Sequence, residues 1–276
     1  MRHVRLPPFN AVVFRGDDGG RLAERWEPLL ARIERAVFEA EFGIVGEFGR
    51  RCNTVLLPPG GGQQTLELIR RYGLLFYPIT QVRAYQGYAH THEKPRHPGE
   101  AALFGVACIE IDDALRFAEA YQRGDHYTQG KLLGYPECCI KAFIEDWNAG
   151  YYSPVIQEVR RTPGCHDYEC RIDPLLNPTL RYIGVKAIPF WPHNLVCREA
   201  HRWAEHFIDV VRRIDKKAYK ALLELLAEPV EFSQVNGIIE VRVGSPPWML
   251  IISQGYSDET IRVRLIPMYD PVEEYG

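Results

Sequence analysis

The sequence predicts an α+β fold. Three observations carry that reading. Strand-like and helical segments alternate over the first hundred residues. A helical, cysteine-containing centre follows, and four short strand-like runs close the chain. The expected parts are an α/β N-terminal part (1–115), a helical Cys/His centre (116–228) and an antiparallel β C-terminal part (229–276).

In the first part, Ala11–Phe14 (AVVF) suits a short strand. Arg25–Phe42 has helical spacing, with Leu29, Leu30, Ile33, Val37 and Phe38 on one apolar face. Thr54–Leu57, Leu74–Thr80 and Leu103–Ile111 suit strands, with a helix at 63–72. The β-α-β-α-β order suggests a sheet layer with helices against it. In the centre, Asp112–Arg123, Pro136–Asn148 and a long segment from Asn194 to Ala227, with a possible break at Asp215, suit helices. Gly184–Phe190 suits a strand. In the last part, Glu231–Gln234, Gly237–Val243, Trp248–Ser253 and Thr260–Ile266 are separated by turn residues, among them Asn236-Gly237.

With 276 residues, 46% of them hydrophobic, the chain can build a core without staples. Its 33 basic and 36 acidic residues give no basic excess, so nucleic-acid binding is not indicated. No apolar run approaches the ~18–20 residues that span a bilayer. The opening MRHVRLPPFNAVVFRG lacks a secretory signal pattern. The expected location is the cytoplasm, with no membrane partner. A small molecule or a protein remains as the partner, its identity unknown. Richness in Arg, Glu and Pro hints at a thermophilic source.

Seven cysteines, an odd number, argue against a secreted disulfide scaffold. In a reducing compartment, clustered cysteines point to metal or redox chemistry. The strongest cluster is Gly134-Tyr135-Pro136-Glu137-Cys138-Cys139. Pro136 suits a helix start, which puts both cysteines in the first turn. There the helix dipole and open N–H groups favour thiolate, the form that a metal or an electrophile needs. The bland alternative is two small buried residues. Adjacent helical side chains point about 100° apart, so both reach one ion only from an irregular turn.

The second cluster is His193-x-x-x-Cys197, at the start of the long helical segment. Imidazole and thiolate at that spacing can share one ion. His201 lies one turn further on and suits a ligand or a partner of one. The plainer reading for His201 and His206 is a solvated helix histidine. A third cluster, His90, His92, Glu93 and His97, sits in a long polar loop at 85–100 and suits metal or acid–base chemistry, or simple exposure. Cys165 and Cys170 lie five apart in a Pro/Gly-flanked loop and suit a disulfide, a labile metal clip or no pairing. Cys52 and Cys108 are expected to be structural. Pro58–Gly62 lacks the Lys–Ser/Thr of a phosphate-binding loop and suits a tight turn. No Ser-His-Asp arrangement or paired-carboxylate pattern stands out.

These segments resemble those of a poorly characterised, mostly archaeal family with an LGYPxCC segment, a PCSxxC segment and a C-terminal sheet. Leu133–Cys139 match the first, and Pro192–Cys197 resemble the second. His193 stands at the position of that pattern's first cysteine, and Cys197 at that of its last. Gly237–Pro247 resemble the start of the family's C-terminal region. Cysteine and histidine interchange among metal ligands, so the exchange fits a metal site, and it fits equally the loss of a redox pair. The resemblance implies the site and not a reaction. The expected function is therefore a metal- or iron–sulfur-binding protein, an enzyme or not. Cys138, Cys139, His193 and Cys197 are the proposed ligands, and zinc or an iron–sulfur cluster is the cofactor. Metal-free thiol redox chemistry and a structural-zinc binding module are the alternatives.

Overall fold

The computed structural model describes residues 3–5, 11–16, 18–83, 94–95, 98–151, 153–166, 168–254 and 259–276. His90, His92, Glu93 and His97 lie outside them. In chain order the elements are β1 (His3–Arg5), β2 (Ala11–Phe14), α1 (Gly19–Gly43), β3 (Cys52–Leu57), α2 (Gln63–Arg71), β4 (Leu75–Arg83), β5 (Ala101–Cys108), α3 (Ile111–Arg123), α4 (His126–Leu132) and α5 (Glu137–Ala149). There follow α6 (Pro154–Arg161), β6 (Glu169–Ile172), α7 (Arg198–Ile214), α8 (Lys216–Leu226), β7 (Val230–Val235), β8 (Ile238–Val243), β9 (Met249–Gln254), β10 (Ile261–Pro267) and α9 (Pro271–Tyr275). The fold is α+β. The chain divides into two compact units, Met1–Phe38 with Glu145–Gly276, and Glu39–Ile144.

The first unit holds a sheet of order β1-β2-β9-β8-β7-β10-β6. Each neighbouring pair is antiparallel except β6, which runs parallel to β10. The β7–β8 hairpin turns through Asn236 and Gly237, both at positive φ (51° and 74°). That is the conformation an Asn-Gly pair supplies at little cost. Val230, Phe232, Ile239, Val241 and Val243 point to the buried side, following the period-two alternation of a one-faced strand. The sheet is larger than the four C-terminal runs foretell. AVVF joins it, pairing Val12 with Ile251. A local pattern identifies a strand but not its partner.

One further difference, and the expected break at Asp215, have plain causes. Gly184–Phe190 forms no strand. The buried Arg181 guanidinium donates to the carbonyls of Ile188 (3.1 Å) and Phe190 (3.2 Å). Those acceptors would otherwise serve a ladder. The long helical segment is two helices. Asp215 leaves helical geometry (φ −152°, ψ 99°), and its carboxylate accepts from the N–H groups of Lys217 (2.9 Å) and Ala218 (3.0 Å). It ends α7 and caps α8.

The second unit holds a three-stranded sheet of order β3-β5-β4, antiparallel throughout. Pro78 sits in β4, an edge strand, where a missing N–H is tolerated. The register places Cys52 opposite Cys108. Both are fully buried among Phe104, Val106, Phe117, Leu132 and Leu133. A hydrogen bond between the two thiols, reinforced by burial, pushes the Cys108 thiol far up. Both are packing cysteines, as expected.

Candidate metal centre

Leu132 and Leu133 are buried and anchor the end of α4. The chain then reverses at Gly134, whose φ of +71° favours glycine. A Cβ there would lie 2.7 Å from the Cα of Arg50. Arg50 is itself buried, and donates to Leu133 O (3.0 Å) and Asn53 Oδ1 (2.5 Å). Its guanidinium stands 5.8 Å from the Tyr135 ring. The carbonyl of Pro136 accepts from Cys139 N and Ile140 N, both at 3.0 Å, and so opens α5. Cys138 is half-buried and Cys139 buried, in the first turn. Although adjacent in sequence, their Sγ atoms stand only 3.9 Å apart.

The second segment is held from several sides. Leu195 N donates to Thr162 Oγ1 (2.9 Å), and Leu195 O accepts from Asp173 N (2.9 Å). Val196 N donates to Asn194 Oδ1 (3.0 Å), closing a side-chain turn. Asn194 Nδ2 lies 2.9 Å from His193 Nε2. Cys197 is the N-cap of α7, and its sulfur accepts from Ala200 N at 3.4 Å. A thiolate here gains both from that donor and from the positive end of the helix dipole.

One ligand atom from each of Cys138, Cys139, His193 and Cys197 lies within 4.8 Å of all the others. This Cys/His group can hold a metal ion. Cys139 and Cys197 are buried, while Cys138 and His193 are partly accessible. Cys165 and Cys170 are joined as a disulfide.

His201, one turn beyond Cys197, has partners that sequence reasoning missed. Its Nδ1 lies 2.6 Å from Asp173 Oδ2. Asp173 is buried and also accepts from Tyr269 Oη (2.8 Å) and Leu175 N (3.0 Å). His201 Nε2 faces Tyr275 Oη at 3.4 Å and Glu205 Oε1 at 3.6 Å. The bond to Asp173 holds the imidazole above its ordinary value against the opposing effect of burial. The Glu205 position was legible as one helical turn from His201. Nothing in sequence joins Asp173, Tyr269 or Tyr275 to it.

With this geometry in view, the comparisons with known proteins bear on the site. Residues 110–229 match the family described as Protein of unknown function (DUF483). All four members of the Cys/His group fall in the matched stretch, as do Asp173 and His201. Uncharacterized protein MJ1106 of Methanocaldococcus jannaschii is 32% identical over 112 residues, covering 39% of this chain and 50% of that protein. The chain thus spans about half the length of the curated relative it matches. No solved structure matches. Among the described residues, no helix is long and apolar enough to cross a membrane.

Proposed function

We propose that the protein binds one zinc ion through Cys138, Cys139, His193 and Cys197, in a closed site of three thiolates and one imidazole. The observation that carries this reading is the spacing of the donors. In a tetrahedral site with Zn–S bonds of ~2.3 Å, neighbouring sulfurs stand about 3.8 Å apart. Cys138 and Cys139 stand 3.9 Å apart, and all four donors fit within 4.8 Å. An iron–sulfur cluster places several iron and sulfide atoms among its ligands and spreads them further. The spacing therefore favours a single ion.

Four protein donors fill a zinc coordination sphere, which is the pattern of structural sites. The ion would neutralise three thiolates and pin the GYPECC turn to the PHNLVC turn. Elemental analysis and an absorption spectrum of protein purified without oxygen test the proposal. At least one zinc per chain and a colourless protein are expected. A visible charge-transfer band bleached by reductant, with iron in excess of one per chain, would replace zinc by a cluster. Metal-free protein with an intact fold would leave thiol chemistry at Cys138 and Cys139.

A further inference from the structure

We propose a second, open cation site on α7 and α9, built from His201 Nε2, Glu205 Oε1 and Tyr275 Oη, that takes a divalent transition metal such as zinc. It is separate from the Cys/His group and does not depend on it. The three donor atoms form a nearly equilateral triangle. Tyr275 Oη lies 3.4 Å from His201 Nε2 and 3.3 Å from Glu205 Oε1, and the last two are 3.6 Å apart. For bonds of ~2.0–2.1 Å, the edge of a tetrahedral N/O site is about 3.3–3.4 Å. The triangle therefore has the size of one face of such a site.

The same distances are poor for hydrogen bonding. An O–H···O bond is usually 2.7–2.8 Å, so both phenol contacts are stretched. An ion drawing all three donors together would replace two weak contacts with three strong ones.

The surroundings suit a cation. His201 and Glu205 are one helical turn apart and so share a face of α7. Nδ1 of His201 is bound to the buried carboxylate of Asp173, which leaves Nε2 as the coordinating nitrogen. A carboxylate behind a metal-bound imidazole fixes the ring and raises its basicity. Asp173 is itself locked by Tyr269 and by the Leu175 N–H. The carboxylates that act on the His201 ring are Asp173, Glu205 and Glu274. Side-chain exposure is 28% at His201 and 43% at Glu205, so an ion can enter and keep a water. Three protein donors with a fourth position open is the arrangement of a hydrolytic or hydrating zinc, in contrast to the closed Cys/His group.

Cobalt(II) distinguishes the two sites, because thiolate ligation gives an intense near-ultraviolet charge-transfer band that N/O ligation lacks. Metal-free full-length protein, titrated with cobalt, is expected to bind two ions, one with that band and one without. Glu205→Gln, an exposed and nearly isosteric change, should weaken the second ion at least tenfold and leave the thiolate band intact. Asp173→Asn should weaken it by about 10–100-fold through the His201 ring. Far-ultraviolet dichroism checks that the variants fold. Cys197→Ser should remove the band and leave the second ion bound. If wild-type protein binds only the thiolate-ligated ion, or if Glu205→Gln leaves the second ion's affinity unchanged, the second site is wrong. Absence of the thiolate band from wild-type protein, with the second ion bound, would count against the Cys/His site only.

Discussion

A Cβ on Gly134 would lie 2.7 Å from the Cα and 2.8 Å from the N of Arg50. The glycine of the GYPECC turn is thus required twice, by its positive φ and by a backbone pressed against it. Gly150, just past the end of α5, shares the positive φ (76°) but has nothing within 4 Å of its Cβ position. Gly134→Ala should therefore cost about 2–4 kcal/mol, and Gly150→Ala only the ~1–2 kcal/mol of a left-handed alanine. Urea midpoints for the two variants measure the difference. Equal costs would show that the Arg50 contact is not limiting.

Metal should govern the reactivity of the thiols. In metal-free protein, iodoacetamide should label the half-buried Cys138 first. Cys52 and Cys108, both fully buried, should react only on unfolding. Bound metal should protect Cys138, because a ligated thiolate is a poorer nucleophile. Peptide mass spectrometry with and without zinc gives the order of labelling. Uniform labelling, indifferent to zinc, would remove the metal reading.

The Cys52–Cys108 pair invites a substitution that leaves the metal alone. Cys108→Ala removes a packed sulfur from the core, at a cost of about 1–2 kcal/mol, and should not change the zinc content. Metal loss in a folded Cys108→Ala protein would contradict the assignment of this pair to packing.

Glu158 supplies a pH signature. It is 2% exposed, and neither carboxylate oxygen has a hydrogen-bond partner. Burial pushes its carboxyl well above 4.5, only partly offset by Arg181. The folded-state value is raised, so this group's contribution is fully present below about pH 4.5. It is lost as pH rises toward the folded-state value, by up to ~1.4 kcal/mol per unit. Glu158→Gln has no such loss. The variant should match wild type near pH 4 and exceed it at pH 7 in thermal unfolding. A gap that does not change with pH would mean that Glu158 ionises normally.

The candidate site was more legible than the architecture around it. A proline ahead of two cysteines marks a helix start, and a histidine four residues before a cysteine marks another turn. Both signals are local. The disulfide choice at Cys165 and Cys170 was left open because spacing alone does not decide it. The break at Asp215 could be suspected because a capping residue announces itself. The pairing of AVVF with β9 could not, because four apolar residues fit several neighbours. The false strand at Gly184–Phe190 failed for a long-range reason: Arg181 takes the carbonyls. Asp173, Tyr269 and Tyr275 gather on His201 only because β6 runs beside β10, which sequence pattern does not encode.

The pairing of Val12 with Ile251 also sets an order of events on the ribosome. β2 emerges well before β9, its partner, which is made some 240 residues later. At ~5–20 residues per second, β2 waits on the order of ten seconds or more with its edge unmatched. Residues 39–144 contain both edges and the middle of their own sheet, and can close while the rest is still being translated. The nascent chain therefore carries an apolar strand with one edge open for much of its synthesis, since β1 covers only the other edge, and a chaperone that binds short extended segments would find AVVF waiting.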